Sequence, residues 1–253
     1  MTEEVVTPRP LRMYRVWDKT TRWFHWINVL CVIGLIGLGL CLLNANTLGV
    51  SAEGKILLKT LHAYAGYVFV LNLVWRLLWG FIGNRHARWR SILPMGKAYW
   101  RTLPVYVSNL WKGRTPRYLG HNPLGRLMVT LMFALLSLQA ASGLVLAGTD
   151  LFLPPFGHEI AEWVTGSGED HAKLAQLKPG VKEGLDPAAY AEMRSFREPV
   201  ITLHLISFYV ILVAIGLHIL AVVVTEVAEK SGLISAMFSG RKVLSEKPAD
   251  VDE

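Results

Sequence analysis

Four long apolar runs divide the chain: roughly Trp23 to Leu43, Leu61 to Ile82, Arg126 to Gly148 and Ile201 to Thr225. Each is close to the ~20 residues an α-helix needs to cross ~30 Å of hydrocarbon. A backbone in lipid must satisfy its own polar groups, so apolar runs of this length predict helices. The predicted fold is an all-α integral membrane protein, a four-transmembrane-helix bundle. The first run contains Asn28 and is followed by Asn44, Ala45 and Asn46 rather than a small-residue cleavage site, so it reads as a retained span.

Composition agrees, with 52% apolar and only 18% charged residues among 253. Charge then orients the bundle. Between residues 82 and 126 lie nine bases (Arg85, Arg88, Arg90, Lys97, Arg101, Lys112, Arg114, Arg117 and Arg126) and no acid. The positive-inside rule makes this loop cytoplasmic, and the basic N-terminal tail agrees. Segment 150–200 carries nine acids against five bases and is expected on the periplasmic side. Both termini are therefore expected in the cytoplasm, as tails 1–22 and 226–253 flanking a membrane domain 23–225. The net charge of +7 follows from this topology and from contact with anionic lipid, not from nucleic-acid binding.

Within the apolar runs the histidines stand out. His204 and His218 lie fourteen residues apart in the last span, an advance of about 21 Å and nearly four whole turns, so both imidazoles leave one face at different depths. His25 begins the first span on the cytoplasmic side, and His62 begins the second on the outer side. Ionisable groups in a bilayer core are costly and mark function, although a single histidine can simply bond a neighbouring helix. With the charge-based topology, the depths match as His62 with His204 and His25 with His218. Imidazole suits haem iron, and two axial imidazoles leave no open coordination position, which is the pattern of an electron carrier. No Cys, Asp or Glu lies at these depths to complete a zinc site.

Cys31 and Cys41 are ten residues apart in one span, about 15 Å along a helix, which excludes a disulfide between them. No Cys-x-x-Cys-His run is present, so the two expected haems are non-covalent haem b. Gly66 sits one turn after His62, where a glycine lets a flat macrocycle or a helix approach; Gly34, Gly37, Gly39, Gly143 and Gly216 are open to the same reading or to ordinary helix packing. Arg76, fourteen residues after His62, lies at the depth of the inner pair and would either neutralise a haem propionate or snorkel to the headgroups.

The stretches RWFHW, LHAYAGYVFVLNLVWRLLWGFIGNRHARWRSILP, GHNPLGRL and HLISFYVILVAIGLH together resemble the b-type cytochrome subunit of nickel-iron hydrogenases, within the bacterial cytochrome b561 group. The likeness runs from about Val16 to Met237. It implies a four-helix protein of the bacterial inner membrane that holds haem b and passes electrons between a periplasmic redox partner and the quinone pool. The family's ligand positions fall on His25, His62, His204 and His218. The chain departs from that pattern in the long acidic segment 150–200, which opens a periplasmic c-type cytochrome or an iron-sulfur enzyme as partner instead of a hydrogenase.

Segment 150–200 exceeds ordinary loop lengths and is expected to be either functional or disordered. Its His158 and His171 read as exposed loop histidines. Residues 97–111 mix aromatics with bases as an interfacial segment does, and Pro104 is expected to interrupt any single helix there. In Gly120-His121-Asn122-Pro123, Asn122 suits an N-cap and Pro123 a first turn, while His121 is a candidate neighbour of a quinone headgroup. The charged tail after Ser239 is expected to be disordered. The reading is a membrane dihaem cytochrome b that carries electrons between a periplasmic partner and quinone. Its alternatives are a haem-containing anchor or sensor through which no electron passes, and a stand-alone superoxide:quinone oxidoreductase.

Overall fold

The computed structural model describes residues 11–114, 116–166, 174, 176–229 and 232–251. The elements follow the order β1 (Arg12–Arg15), α1 (Lys19–Leu43), α2 (Ala52–Ile82), α3 (Trp89–Ile92), α4 (Lys97–Trp111), α5 (Pro123–Leu151), α6 (Gly157–Thr165), α7 (Pro187–Glu229), α8 (Leu233–Ser239) and β2 (Arg241–Leu244). Four of them, α1, α2, α5 and α7, are long and apolar enough to cross a membrane. Side chains such as Leu30, Leu71 and Val213 point outward, as lipid-facing positions do.

All four long helices start before their apolar runs, and each start has a local cause. A side-chain oxygen accepts the backbone N–H three residues on: Asp18 from Thr21 (2.7 Å), Ser51 from Gly54 (3.1 Å), Asn122 from Gly125 (2.7 Å) and Asp186 from Ala189 (2.8 Å). These caps satisfy orphan donors of the first turn. Pro123 and Pro187 follow two of them at the first helical position, where a missing N–H costs nothing.

The described residues gather into two compact units, and each long helix contributes a segment to both. The first unit takes residues up to His25, Trp75–Phe133 and those from Val213 onward. Here β1 and β2 pair antiparallel, Arg12 opposite Leu244 and Arg15 opposite Arg241. Val16, Trp17, Leu119, Ala236 and Leu244 form the core beside this sheet. The C-terminal segment is thus ordered, against expectation: Asp250 accepts the N–H groups of Leu119 (2.7 Å) and Gly120 (2.8 Å), and Arg85 bonds its carbonyl (3.0 Å). Alternation in β2 buries Lys242 and Leu244 and exposes Arg241 and Val243, which a polar tail without a partner would not do.

Pro104 also departs from expectation, because α4 runs unbroken through it. The proline removes one intrahelical bond. Tyr99 and Tyr106, seven residues apart on one face, are both buried, and Tyr99 donates to Pro123 O (2.9 Å), which anchors the helix on either side of the defect.

The second unit comprises Trp26–Val74 and Ala134–Leu212. Segment 150–200 is largely structured where described. Ile160, Val164 and Met193 pack α6 on the start of α7, joined by Phe152, Trp163, Leu185 and Tyr190. Asp150 bonds Lys59 (2.7 Å) and pairs with Arg197. His158 lies 3.4 Å from Glu162; His171 falls outside the described residues.

Candidate functional site

In the second unit, α2 and α7 bring His62 and His204 together, with ring centres 6.4 Å apart and planes at 72°. His62 Nδ1 is buried and has no hydrogen-bond partner. Both nitrogens of His204 are engaged: Nδ1 lies 2.9 Å from Ser142 Oγ and Nε2 lies 2.9 Å from Gln139 Nε2. Glycines give these rings room. A Cβ at residue 143 would come within 3.3 Å of His204 Cε1, so a side chain there would press on the ring, and a Cβ at residue 39 would touch His62 Cε1 at 3.6 Å. Gly66 has open space where its Cβ would be. Among the described residues no three His, Cys, Asp or Glu side chains cluster as a bare metal ion requires.

The first unit holds His25 on α1 and His218 on α7, within electrostatic reach of each other. Arg76 on α2 is buried, 3% exposed. Its guanidinium carbon lies 5.2 Å from the centre of the Phe133 ring and 5.8 Å from those of Phe24 and Trp89, close enough for cation–π attraction. Nη2 donates to Ala87 O (3.0 Å), and Nη1 is buried without a partner. The turn after α2 makes this cage. Asn84 Oδ1 accepts from Ala87 N–H (2.9 Å), and Trp89 Nε1 donates to Leu77 O (3.1 Å). The indole lies over Gly80, where a Cβ would come within 2.3 Å of it, so no larger residue is compatible with that packing.

Asp18 joins the two ends of this unit's membrane segments. Besides capping α1 it accepts from Trp79 Nε1 (3.0 Å) and, at longer range, from Asn84 N–H (3.4 Å). Burial alone would raise its carboxyl, but the bonds from Thr21, Trp79 and Asn84 outweigh burial and hold it below the ordinary value.

His121 sits just ahead of α5, its ring centre 5.0 Å from that of Trp17, which lies 6.3 Å from that of His86. Burial, reinforced by the positive charges of Lys242, Arg76 and Arg126, pushes the imidazole down to about 3. It is neutral at physiological pH, and its Nδ1 is enclosed without a partner. Burial likewise lowers His86, although Asp250 acts in the opposite sense.

Sequence reasoning singled out the four histidines, Arg76 and His121, but missed the groups around them. Gln139 and Ser142 were visible as polar residues inside an apolar span, a signal that calls for a partner. Trp17, His86, Lys242 and Asp250 carry no such signal, because distant segments bring them together.

Residues 16–240 match the prokaryotic cytochrome b561 family. A probable Ni/Fe-hydrogenase B-type cytochrome subunit of Azotobacter vinelandii is 25% identical over 248 residues, covering 93% of this chain and 90% of the relative. That of Cupriavidus necator is 22% identical over 253 residues, covering 96% and 92%. The probable Ni/Fe-hydrogenase 1 B-type cytochrome subunit of Escherichia coli K12 is 31% identical over 121 residues, 44% of this chain and 50% of the relative. No solved structure matches. With four helices able to span a membrane and a match over most of its length, the chain belongs to the prokaryotic cytochrome b561 family.

Proposed function

We propose that this chain is a dihaem membrane cytochrome b of the bacterial inner membrane, exchanging electrons with a nickel-iron hydrogenase on the periplasmic side and with quinone near the cytoplasmic side. The observation that carries the reading is the His62/His204 pair. Their ring centres lie 6.4 Å apart, a separation at which both imidazoles could hold one iron between them. Haem b held by His62 and His204 would supply a one-electron carrier at this place. His25 and His218 would hold the second group. Arg76 would offer its free Nη1 to a propionate, since a buried cation lacking a full set of partners favours an anion.

The relatives named as hydrogenase subunits support the partner. Oxidation of hydrogen releases two electrons and two protons, and reduction of a quinone to quinol takes up two of each. At the quinone end, neutral His121 with an unmatched Nδ1 could hydrogen-bond a quinone carbonyl. The basic loop 82–126 and both tails would face the cytoplasm, and segment 150–200 the periplasm.

Membranes containing the chain and a hydrogenase test this. Hydrogen should reduce the b-type absorbance and added quinone should reoxidise it. Haem that hydrogen leaves oxidised, in the presence of active hydrogenase, would overturn the assignment.

A further inference from the structure

We infer that Ser142 is a positioning residue that locks His204 in the tautomer with its hydrogen on Nδ1, leaving Nε2 as the iron-binding nitrogen and tuning the potential of that iron. A serine hydroxyl has one hydrogen. That of Ser142 goes to a backbone carbonyl of its own helix, Leu138 O (2.9 Å) or Gln139 O (3.2 Å), the usual outlet for a serine inside a helix. Its oxygen then faces His204 Nδ1 at 2.9 Å with lone pairs only, so Nδ1 carries the imidazole hydrogen. A neutral ring has one N–H, which leaves the lone pair on Nε2.

A second set of contacts gives the same answer. Ser207 Oγ reaches Gln139 Oε1 by the shorter of its two contacts, the other being His204 O at 3.1 Å. That bond turns the NH2 group of Gln139 toward His204 Nε2, 2.9 Å away, where a donor meets a lone pair. Both serines are almost fully buried, Ser142 at 5% and Ser207 at 3% exposure, so water does not compete for these bonds. Gln139 occupies the nitrogen that iron would take. Iron held by Nε2 would take the place of the Gln139 N–H, which would need another acceptor, while Ser142 would keep its hold on Nδ1.

A ligand imidazole that donates from Nδ1 is a more basic ligand, and a basic ligand favours ferric over ferrous iron. His62 Nδ1 is buried without a partner, so the serine anchor is particular to His204. Tuning at this centre thus enters through His204.

The inference rests on His204 being an axial ligand, and the test separates the two ideas. Redox titration of the purified holoprotein first uses His204→Ala to identify the spectral component that belongs to this centre. In Ser142→Ala that component should keep its haem and show a ferrous:ferric ratio higher on the order of three- to tenfold at the wild-type midpoint, the weight of one hydrogen bond. The other component should stay put. Ser142→Thr, which keeps the hydroxyl, should restore the wild-type ratio. If Ser142→Ala fails to assemble, Ser142→Cys carries the test, since a weakly accepting sulfur should move the ratio the same way by less. An unchanged ratio in the assembled variant, or a shift in the component that His204→Ala retains, would overturn the inference. Loss of no component in His204→Ala would instead overturn the ligand assignment.

Discussion

Replacing Asp18 by alanine removes three interactions at once, and their weights follow from the geometry. The bond to Thr21 N–H at 2.7 Å is the N-cap of α1, the helix that carries His25. Losing such a cap costs about 1 kcal/mol. The Trp79 indole N–H, 3.0 Å away and partly buried, loses a charged acceptor, which costs about 1.5–3 kcal/mol. The Asn84 contact at 3.4 Å is too long to add much. Together these give a loss of about 2.5–4 kcal/mol. For a chain of this size that lowers the melting temperature by about 5–16 °C, at roughly 2–4 °C per kcal/mol. Asp18→Asn keeps an acceptor but loses the charge, so it should fall between wild type and alanine. The sign with pH follows from a depressed folded-state value: the contribution is full above the unfolded carboxylate's 3.8 and is lost on acidification through the lower folded value. Thermal unfolding of the detergent-solubilised protein, followed by circular dichroism at neutral pH, is the assay. An alanine variant that melts within 1 °C of wild type would refute the reasoning.

Three further outcomes follow. His62→Ala and His204→Ala should remove the same haem component and spare the one removed by His25→Ala and His218→Ala, as read in reduced-minus-oxidised spectra; one component lost to both His62→Ala and His25→Ala would break the pairing. Arg76→Leu deletes a buried cation held by Ala87 O and three aromatic rings, and loss of positive charge favours the ferric state, so one haem potential should fall with haem content intact. Unchanged potentials would reduce Arg76 to a packing role. A reporter fused near Lys112 should report cytoplasm and one near Gly180 periplasm; opposite signals at both sites would invert the topology.

The four spans and the histidines were legible because apolar length and intramembrane imidazoles are local signals. Helix starts were legible too, but apolar length outranked them: Asp18, Ser51 and Asp186 extend α1, α2 and α7 beyond the apolar runs. The two short strands were not legible. Arg12–Arg15 and Arg241–Leu244 acquire meaning only from each other, across more than two hundred residues of chain. The surroundings of Arg76 were hidden for the same reason, since Phe24, Trp89 and Phe133 come from three separate segments. Pro104 misled because propensity penalises the missing bond, whereas Tyr99 and Tyr106 supply tertiary anchors on both sides of it.

Haem stoichiometry tests the central claim most directly. A pyridine haemochrome assay on the purified chain, with protein quantified by amino-acid analysis, should give two b-type haems per chain, both extractable into acidified organic solvent because no covalent attachment motif is present. One haem would contradict the dihaem reading, and none would contradict the role of the four histidines altogether.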